Sequence, residues 1–423
     1  MSIAEADAEA AFRLEVQQNL KRNYAAHLCH GLLGQTGMRL LNAPTFLPSY
    51  ISLLAGTDAA VGIARGLQYL GMFLSPILGA TWVERRGRVM PLGFLNGGLM
   101  RAAILGLALA GFFLPPRAAL LAAFACLACF GLFLGVQGVI FNFLVSKVIP
   151  VRLRGRLMGL RNALAGLTAT AVAWYAGNRL IATDALGNGY AATFLLAFCL
   201  TSIGLLMLIF IREPASPRVL EPSRLSSRLR DLPELMRSDR AFTRYFVARA
   251  LATIGRMAVP FYVLFAQTRF EMTGARLGEL SAAFIGAQSI GNLIWGVAAD
   301  RSGFRATFLA SLSLWVLAVL LLMQATTNFQ LIVVFAVLGA GLGGFQMSSQ
   351  NLVLEFGSRE NLPMRIAVAN SASDLVGAIG AVVGGFASVA LGYVTLFWIA
   401  IACQLAALAM VVVLVDEPRR RLQ

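Results

Sequence analysis

Apolar residues run along this chain in twelve long blocks, near 28–54, 60–82, 90–114, 118–145, 157–178, 190–211, 244–267, 278–299, 306–324, 329–354, 365–390 and 393–415, with short polar stretches between them. A helix needs roughly 20 residues to cross a hydrocarbon core of about 30 Å, and each block can do so. The pattern predicts an all-α membrane protein with twelve spans, numbered 1 to 12 in that order. An even number of crossings puts both ends of the chain on one side. Ahead of the first block, Phe12, Val16, Leu20 and Tyr24 recur at helical spacing, which predicts a short amphipathic helix on the membrane surface. Glu5, Asp7, Glu9 and Glu15 also precede it, as they would not in a cleavable signal peptide. From Arg212 to about Thr243, Arg and Ser accumulate and Pro214, Pro217, Pro222 and Pro233 interrupt, which reads as a linker. The expected organisation is an amphipathic segment (1–23), a first six-helix bundle (24–211), the linker (212–243), a second six-helix bundle (244–416) and a basic tail (417–423).

The polar stretches repeat. Glu84-Arg85-Arg86-Gly87-Arg88 between spans 2 and 3 returns as Asp300-Arg301-Ser302-Gly303-Phe304-Arg305 between spans 8 and 9. The interval from Glu84 to Asp300 also separates Pro44 from Pro260, Thr57 from Thr273, Gly62 from Gly278, Arg85 from Arg301 and Gly87 from Gly303. A shorter interval relates Gln137 to Gln346, Asn142 to Asn351 and Arg156 to Arg365, and a still shorter one relates Glu213-Pro214 to Glu417-Pro418. An offset that only shrinks along the chain is what a duplication leaves when the second copy loses loop residues. Two homologous halves are expected.

Composition agrees with a membrane: 58% of residues are hydrophobic and 13% charged, with a mean hydropathy of +0.74. A formal charge of +15 would suggest nucleic acid in a soluble chain, but in a polytopic one it is read loop by loop. Arg85, Arg86, Arg88, Lys147, Arg152, Arg154, Arg156, the arginines of the linker, Arg301, Arg305, Arg359, Arg365 and Arg419 to Arg421 fall on one side. Arg117, Arg179, Arg269 and Arg276 fall on the other. The positive-inside rule makes the first side cytoplasmic, with both termini there. Lysine is rare and Arg and Ala abundant, which suits a high-GC bacterium, hence an inner membrane. Cys29, Cys126, Cys129, Cys199 and Cys403 sit in or beside apolar blocks and suggest no disulfide framework.

The duplicated loop resembles the Gly-x-x-x-Asp-Arg-x-Gly-Arg-Arg signature of the major facilitator superfamily, which those transporters carry after the second and again after the eighth helix. Gly296, Asp300, Arg301, Gly303 and Arg305 match in the second copy, with Phe304 in place of one arginine. Glu84, Arg85, Gly87 and Arg88 match in the first, with Ala80, Glu84 and Val89 standing where the family has Gly, Asp and a basic residue. The resemblance covers essentially the whole chain. It implies two six-helix bundles rocking about a central site. The family's fourth-helix Arg-x-x-Gln-Gly aligns with Leu134-Gly135-Val136-Gln137-Gly138, which lacks the arginine. The stretch from Gly159 to Gly177 contains no proline, so the fifth-helix Gly-Pro signature of drug antiporters is absent.

The resemblance also implies roles. The loop after span 2 faces the start of span 11, and the loop after span 8 the start of span 5, so Glu84 should meet Arg365 and Asp300 should meet Arg156 as cytoplasmic latches. Arg85, Gly87, Arg88, Arg301, Gly303 and Arg305 complete the gating set. Charges within spans are costly, about 2.5–3.5 kcal/mol each on insertion scales, and so mark function. Arg39 in span 1 and Arg256 in span 7 lie near mid-span on helices that line the cavity in this superfamily, and each could grip a carboxylate or phosphate. Asp374 in span 11 is the expected proton site, with Arg65 of span 2 at similar depth as its partner. Gln137, Asn142, Gln346 and Asn351 on spans 4 and 10 are further candidate contacts, and Gln35, Asn42, Gln288, Asn292 and Gln350 offer other polar groups. His27 and His30 at the start of span 1 read as interfacial packing rather than metal ligands.

The leading expectation is a proton-coupled secondary transporter of a small organic solute, functional as a monomer in the lipid bilayer, with export placed ahead of uptake. The alternative is uptake or exchange of an organic anion held by Arg39 and Arg256. A third reading is a membrane sensor or structural protein that moves nothing. No nucleophile–base pair, nucleotide loop or metal cluster points to an enzyme, and no cofactor or nucleic-acid partner is implied.

Overall fold

The structure is a computed structural model, and residues 3–84, 86–216, 240–356 and 362–415 are described. Span 1 is Leu20–Asn42 followed by Phe46–Ala55, and the break falls at Pro44, which has no amide proton and clashes with the preceding turn. Spans 2, 3 and 4 are Asp58–Glu84, Met90–Phe113 and Pro116–Val148. Span 5 is Val151–Tyr175, extended by a π-helical turn Ala176–Ile181. Span 6 is Gly189–Leu206 with a closing 3-10 turn, Met207–Phe210. Span 7 repeats the design of span 1: Arg240–Ile254, a 3-10 turn Gly255–Ala258, then Phe261–Gln267 beyond Pro260.

Helix Gly274–Gln324 has 51 residues and would run about 76 Å if straight, far more than a bilayer. It folds back at Gly303, whose φ of 86° is open to glycine at little cost. That turn separates spans 8 and 9. Span 10 is Asn328–Leu352. Helix Leu362–Leu414 turns back in the same way at Gly392, φ 79°, into spans 11 and 12. Among the described residues, eight helices are long and apolar enough to cross a membrane, and these two double ones are among them. Spans 1 and 5, which carry Arg39 and Arg161, complete the twelve.

Within the first half, span 1 packs on spans 5 and 6, span 2 on span 4, and span 3 on spans 4 and 6. In the second, spans 8 and 9 pack on span 10 and span 7 on the last helical hairpin. Glycines set these distances. Gly131 of span 4 lies so close to the Gln68 backbone of span 2, and Gly339 of span 10 to the Phe284 backbone of span 8, that neither site has room for a Cβ. The halves meet where span 2 packs on span 11 and span 5 on span 8.

One face collects the chain ends and both signature loops. Asn23 at the start of span 1 exchanges hydrogen bonds with Arg212 after span 6, at 3.0 and 2.8 Å. Arg305 at the start of span 9 donates to Val415 O at the end of span 12, at 2.6 Å. This side is called the terminal face below. The amphipathic stripe is present: Val16 is buried, Phe12, Leu20 and Tyr24 are half-buried, and Leu14 between them is exposed.

Candidate substrate cavity between the two bundles

A cavity of about 340 Å³ lies between the halves, with Arg39 of span 1, Gly159, Asn162 and Ala163 of span 5, Ser289, Asn292 and Leu293 of span 8, and Gly343, Gln346, Met347, Gln350 and Asn351 of span 10 in its wall. It opens toward the terminal face. Asn351 sits in the last turn of span 10 there, and Gly159, Asn162 and Gln350 are exposed. Toward the opposite face the halves are in contact. Gln267 of span 7 donates to Ser49 of span 1 at 3.0 Å, and the hydroxyls of Thr45 and Ser281 join spans 1 and 8. Gly62 lies against Gly385, and Gly177 against Gly278, too closely for side chains.

Arg39 is the only charged side chain in the cavity wall among the described residues. It ends the first segment of span 1, where the helix dipole favours a cation. Its Nη1 donates to Ser289 Oγ across the halves at 2.5 Å, and Ser289 donates onward to Ile285 O at 2.7 Å. Gly166 of span 5 makes room for this link, since a Cβ there would lie 2.9 Å from Arg39 Nη1 and collide with Ser289.

A second polar cluster occupies the other side of the interface, on spans 1, 2, 7 and 11. Arg65, fully surrounded, donates to Gln68 Oε1 at 2.9 Å and toward Ala43 O at 3.4 Å, the carbonyl left free by the proline break. Gln68 donates to Asn42 Oδ1 at 2.9 Å. Arg256 reaches across the halves, donating to the Tyr69 hydroxyl at 2.7 Å with its guanidinium over the ring. Arg249 donates to Asn370 Oδ1 at 2.9 Å. Asp374 lies in the field of Arg256 and Arg249.

At the terminal face Glu213 is the hub of the first signature loop. It accepts from the Val89 amide at 2.8 and 3.0 Å and from the Met90 amide at 2.8 Å, at the dipole-positive start of span 3. Lys147 of span 4 pairs with it at 2.7 Å and also donates to Gly87 O at 2.5 Å. Both side chains are buried.

The predicted residues therefore separate. Arg39, Gln346 and Asn351 share the cavity, together with Asn162, Ser289, Asn292 and Gln350. Arg256, Arg65 and Asp374 share the second cluster. Gln137 turns into its own bundle and accepts from Asn96 at 2.9 Å, and Asn142 is exposed outside the cavity wall. Arg88, Arg156, Asp300 and Arg301 are exposed at the terminal face, while Arg305 caps span 12. Arg85 lies outside the described residues, as do the side chains of Glu84 and Arg365. His27 and His30 are buried inside the first bundle against Phe141, with His30 Nδ1 donating to Gly204 O at 2.9 Å. Lys147 and Glu213 were missed as a pair. The signal available was the Glu-Pro step that recurs at Glu417-Pro418.

Two six-span bundles about a central cavity are an architecture that membrane transporters use. The family model of the Major Facilitator Superfamily matches residues 245–423. A crystal structure of a D-xylose–proton symporter superposes with a TM-score of 0.72 at 12% identity, over 95% of this chain and 99% of that one. The nucleoside transporter NupG gives 0.66 at 13% identity, over 91% and 98%. The human organic anion transporter MFSD10 gives 0.64 at 14% identity, over 92% and 99%. Identities this low show a shared fold. No curated protein matches the sequence significantly. The second half of the chain thus matches the family model, and the chain as a whole shares the fold of these transporters.

Proposed function

We propose that the chain carries a small organic anion across a bacterial inner membrane by alternating access. The observation behind this reading is that the cavity's one charge is the guanidinium of Arg39, surrounded by carboxamides and a hydroxyl, with no acidic or aromatic side chain in the wall among the described residues. Such a lining attracts an anion and offers a cation neither counter-charge nor ring. The positive-inside asymmetry makes the terminal face cytoplasmic, so the structure is an inward-facing state.

A carboxylate entering from the cytoplasm takes the guanidinium N–H groups that Ser289 leaves free. Arg39 belongs to the first half, while Ser289, Asn292 and Gln346 belong to the second. A ligand held by both favours their approach, and so the closed mouth. The latches Asp300–Arg156 and Glu84–Arg365 are assigned to that closed state. Proton coupling is assigned to Asp374. A proton on its carboxylate removes the counter-charge of Arg256 and Arg249, and Arg256 is tied to Tyr69 of the other half, so the change reaches the interface.

The test is flux of labelled organic anions in proteoliposomes, in both directions, with and without a pH gradient. Arg39→Gln should abolish flux, and its survival there would sink the anion reading. Asp374→Asn should keep anion exchange but lose pH-driven accumulation; accumulation that persists removes the proton role.

A further inference from the structure

Beyond Arg39 and Ser289, the polar groups of the cavity wall are carboxamides, set among Ala163, Leu293 and Met347. Asn162 of span 5 and Gln346 and Gln350 of span 10 make no side-chain hydrogen bond to another described group. Asn292 Oδ1 of span 8 is buried with no donor facing it. Buried carbonyl oxygens are rarely left so, and a ligand donor would satisfy this one. Gln346 and Gln350 lie one turn apart on the same face of span 10. The polar wall from Gly343 to Gln350 runs for roughly 10 Å along that helix. Gly343 keeps it open, because a Cβ there would stand 2.9 Å from both Asn292 Oδ1 and Gln288 Cγ.

A carboxamide donates through its nitrogen and accepts through its oxygen, and a hydroxyl does both, so a row of amides matches a row of hydroxyls. One guanidinium balances one carboxylate, whereas a phosphate monoester would bring nearly twice the charge. We propose that the ligand is a polyhydroxylated monocarboxylate, a sugar acid of the aldonate or uronate type, with its carboxylate on Arg39 and its hydroxyls along Asn162, Asn292, Gln346 and Gln350. This rests on the anion reading above and narrows it.

The experiment is a thermal-shift titration of the purified full chain with a panel of aldonates and uronates, with hexanoate as the carboxylate lacking hydroxyls and glucose as the hydroxylated compound lacking charge. At least one sugar acid should stabilise the protein at concentrations well below those needed for hexanoate or glucose. Asn292→Ala should raise the half-saturating concentration of that acid roughly tenfold, the scale of a lost hydrogen bond to a buried group, and leave hexanoate unchanged. Gln350→Ala, at the exposed end of the wall, serves if Asn292→Ala is unstable without ligand. Hexanoate stabilising as well as every sugar acid overturns the hydroxyl recognition and leaves the anion reading standing. Glucose outperforming the acids, or a response of the acids unchanged in Arg39→Gln, overturns both. No response of the wild-type chain to any sugar acid overturns the sugar-acid assignment.

Discussion

Lys147 and Glu213 illustrate what a buried pair does at a membrane protein's edge. Each side chain is only 3% exposed, and Glu213 holds two backbone amides as well as the lysine. Removing one partner strands a charge. Lys147→Met should therefore destabilise the protein by about 3–5 kcal/mol, read as a fall in the unfolding temperature, whereas adding Glu213→Gln to it should recover part of the loss. Equal stability of single and double variants would show that the pair carries no such burden. The deeper charges show what sequence can say at this scale. Counting residues gave Arg39, Arg65, Arg256 and Asp374 their depth, because a helix rises evenly. It did not give the direction each faces, which depends on helix rotation and on the breaks at Pro44 and Pro260. Asp374 and Arg65 are level by that count, yet Arg65 turns to Gln68 and the Ala43 carbonyl. Gln137 and Gln346 are repeat mates, yet one binds Asn96 inside its bundle and the other lines the cavity.

The helices were the most legible feature, because twelve apolar blocks and a repeated loop leave little choice of fold. What the blocks concealed is how spans meet. Gly62 and Gly278 are mates in the repeat, and each makes the crossing that joins the halves away from the terminal face, against Gly385 and Gly177 respectively. A side chain at either point must push the bundles apart. Overpacking costs about 1–3 kcal/mol, which is comparable with the gap between two transporter states. Gly278→Val should thus shift the population toward the state open on the opposite face. Spin labels on that face of spans 5 and 8 should report longer distances, and unchanged distances would mean the crossing is not the closing contact. The proline breaks belong to the same scale. Pro44 leaves Ala43 O to Arg65, so Pro44→Ala should straighten span 1, displace Arg39 from Ser289 and reduce ligand affinity in the same titration that tests Arg39→Gln.

For the molecule as a whole, the question is whether the contacts opposite the cavity are released in every cycle or merely hold the bundles together. Ser49 of span 1 and Gln267 of span 7 sit in different halves and touch at 3.0 Å, in the second segments of the two proline-broken spans. If the bundles rock, these segments must separate each time the cavity opens to the other side, while the ligand wall, nearer the terminal face, is still complete in the present state. Cysteines at both positions, joined by a short bifunctional thiol reagent, should therefore abolish transport while leaving the ligand-induced rise in unfolding temperature intact. Cleavage of the linker should restore flux. The protein's own cysteines are free thiols, so they are first replaced, and each single variant carries the reagent as a control. Transport that continues with the bridge intact would mean that this pair stays together throughout the cycle, and the rocking axis would then have to lie at spans 1 and 7 instead of at the level of Arg39.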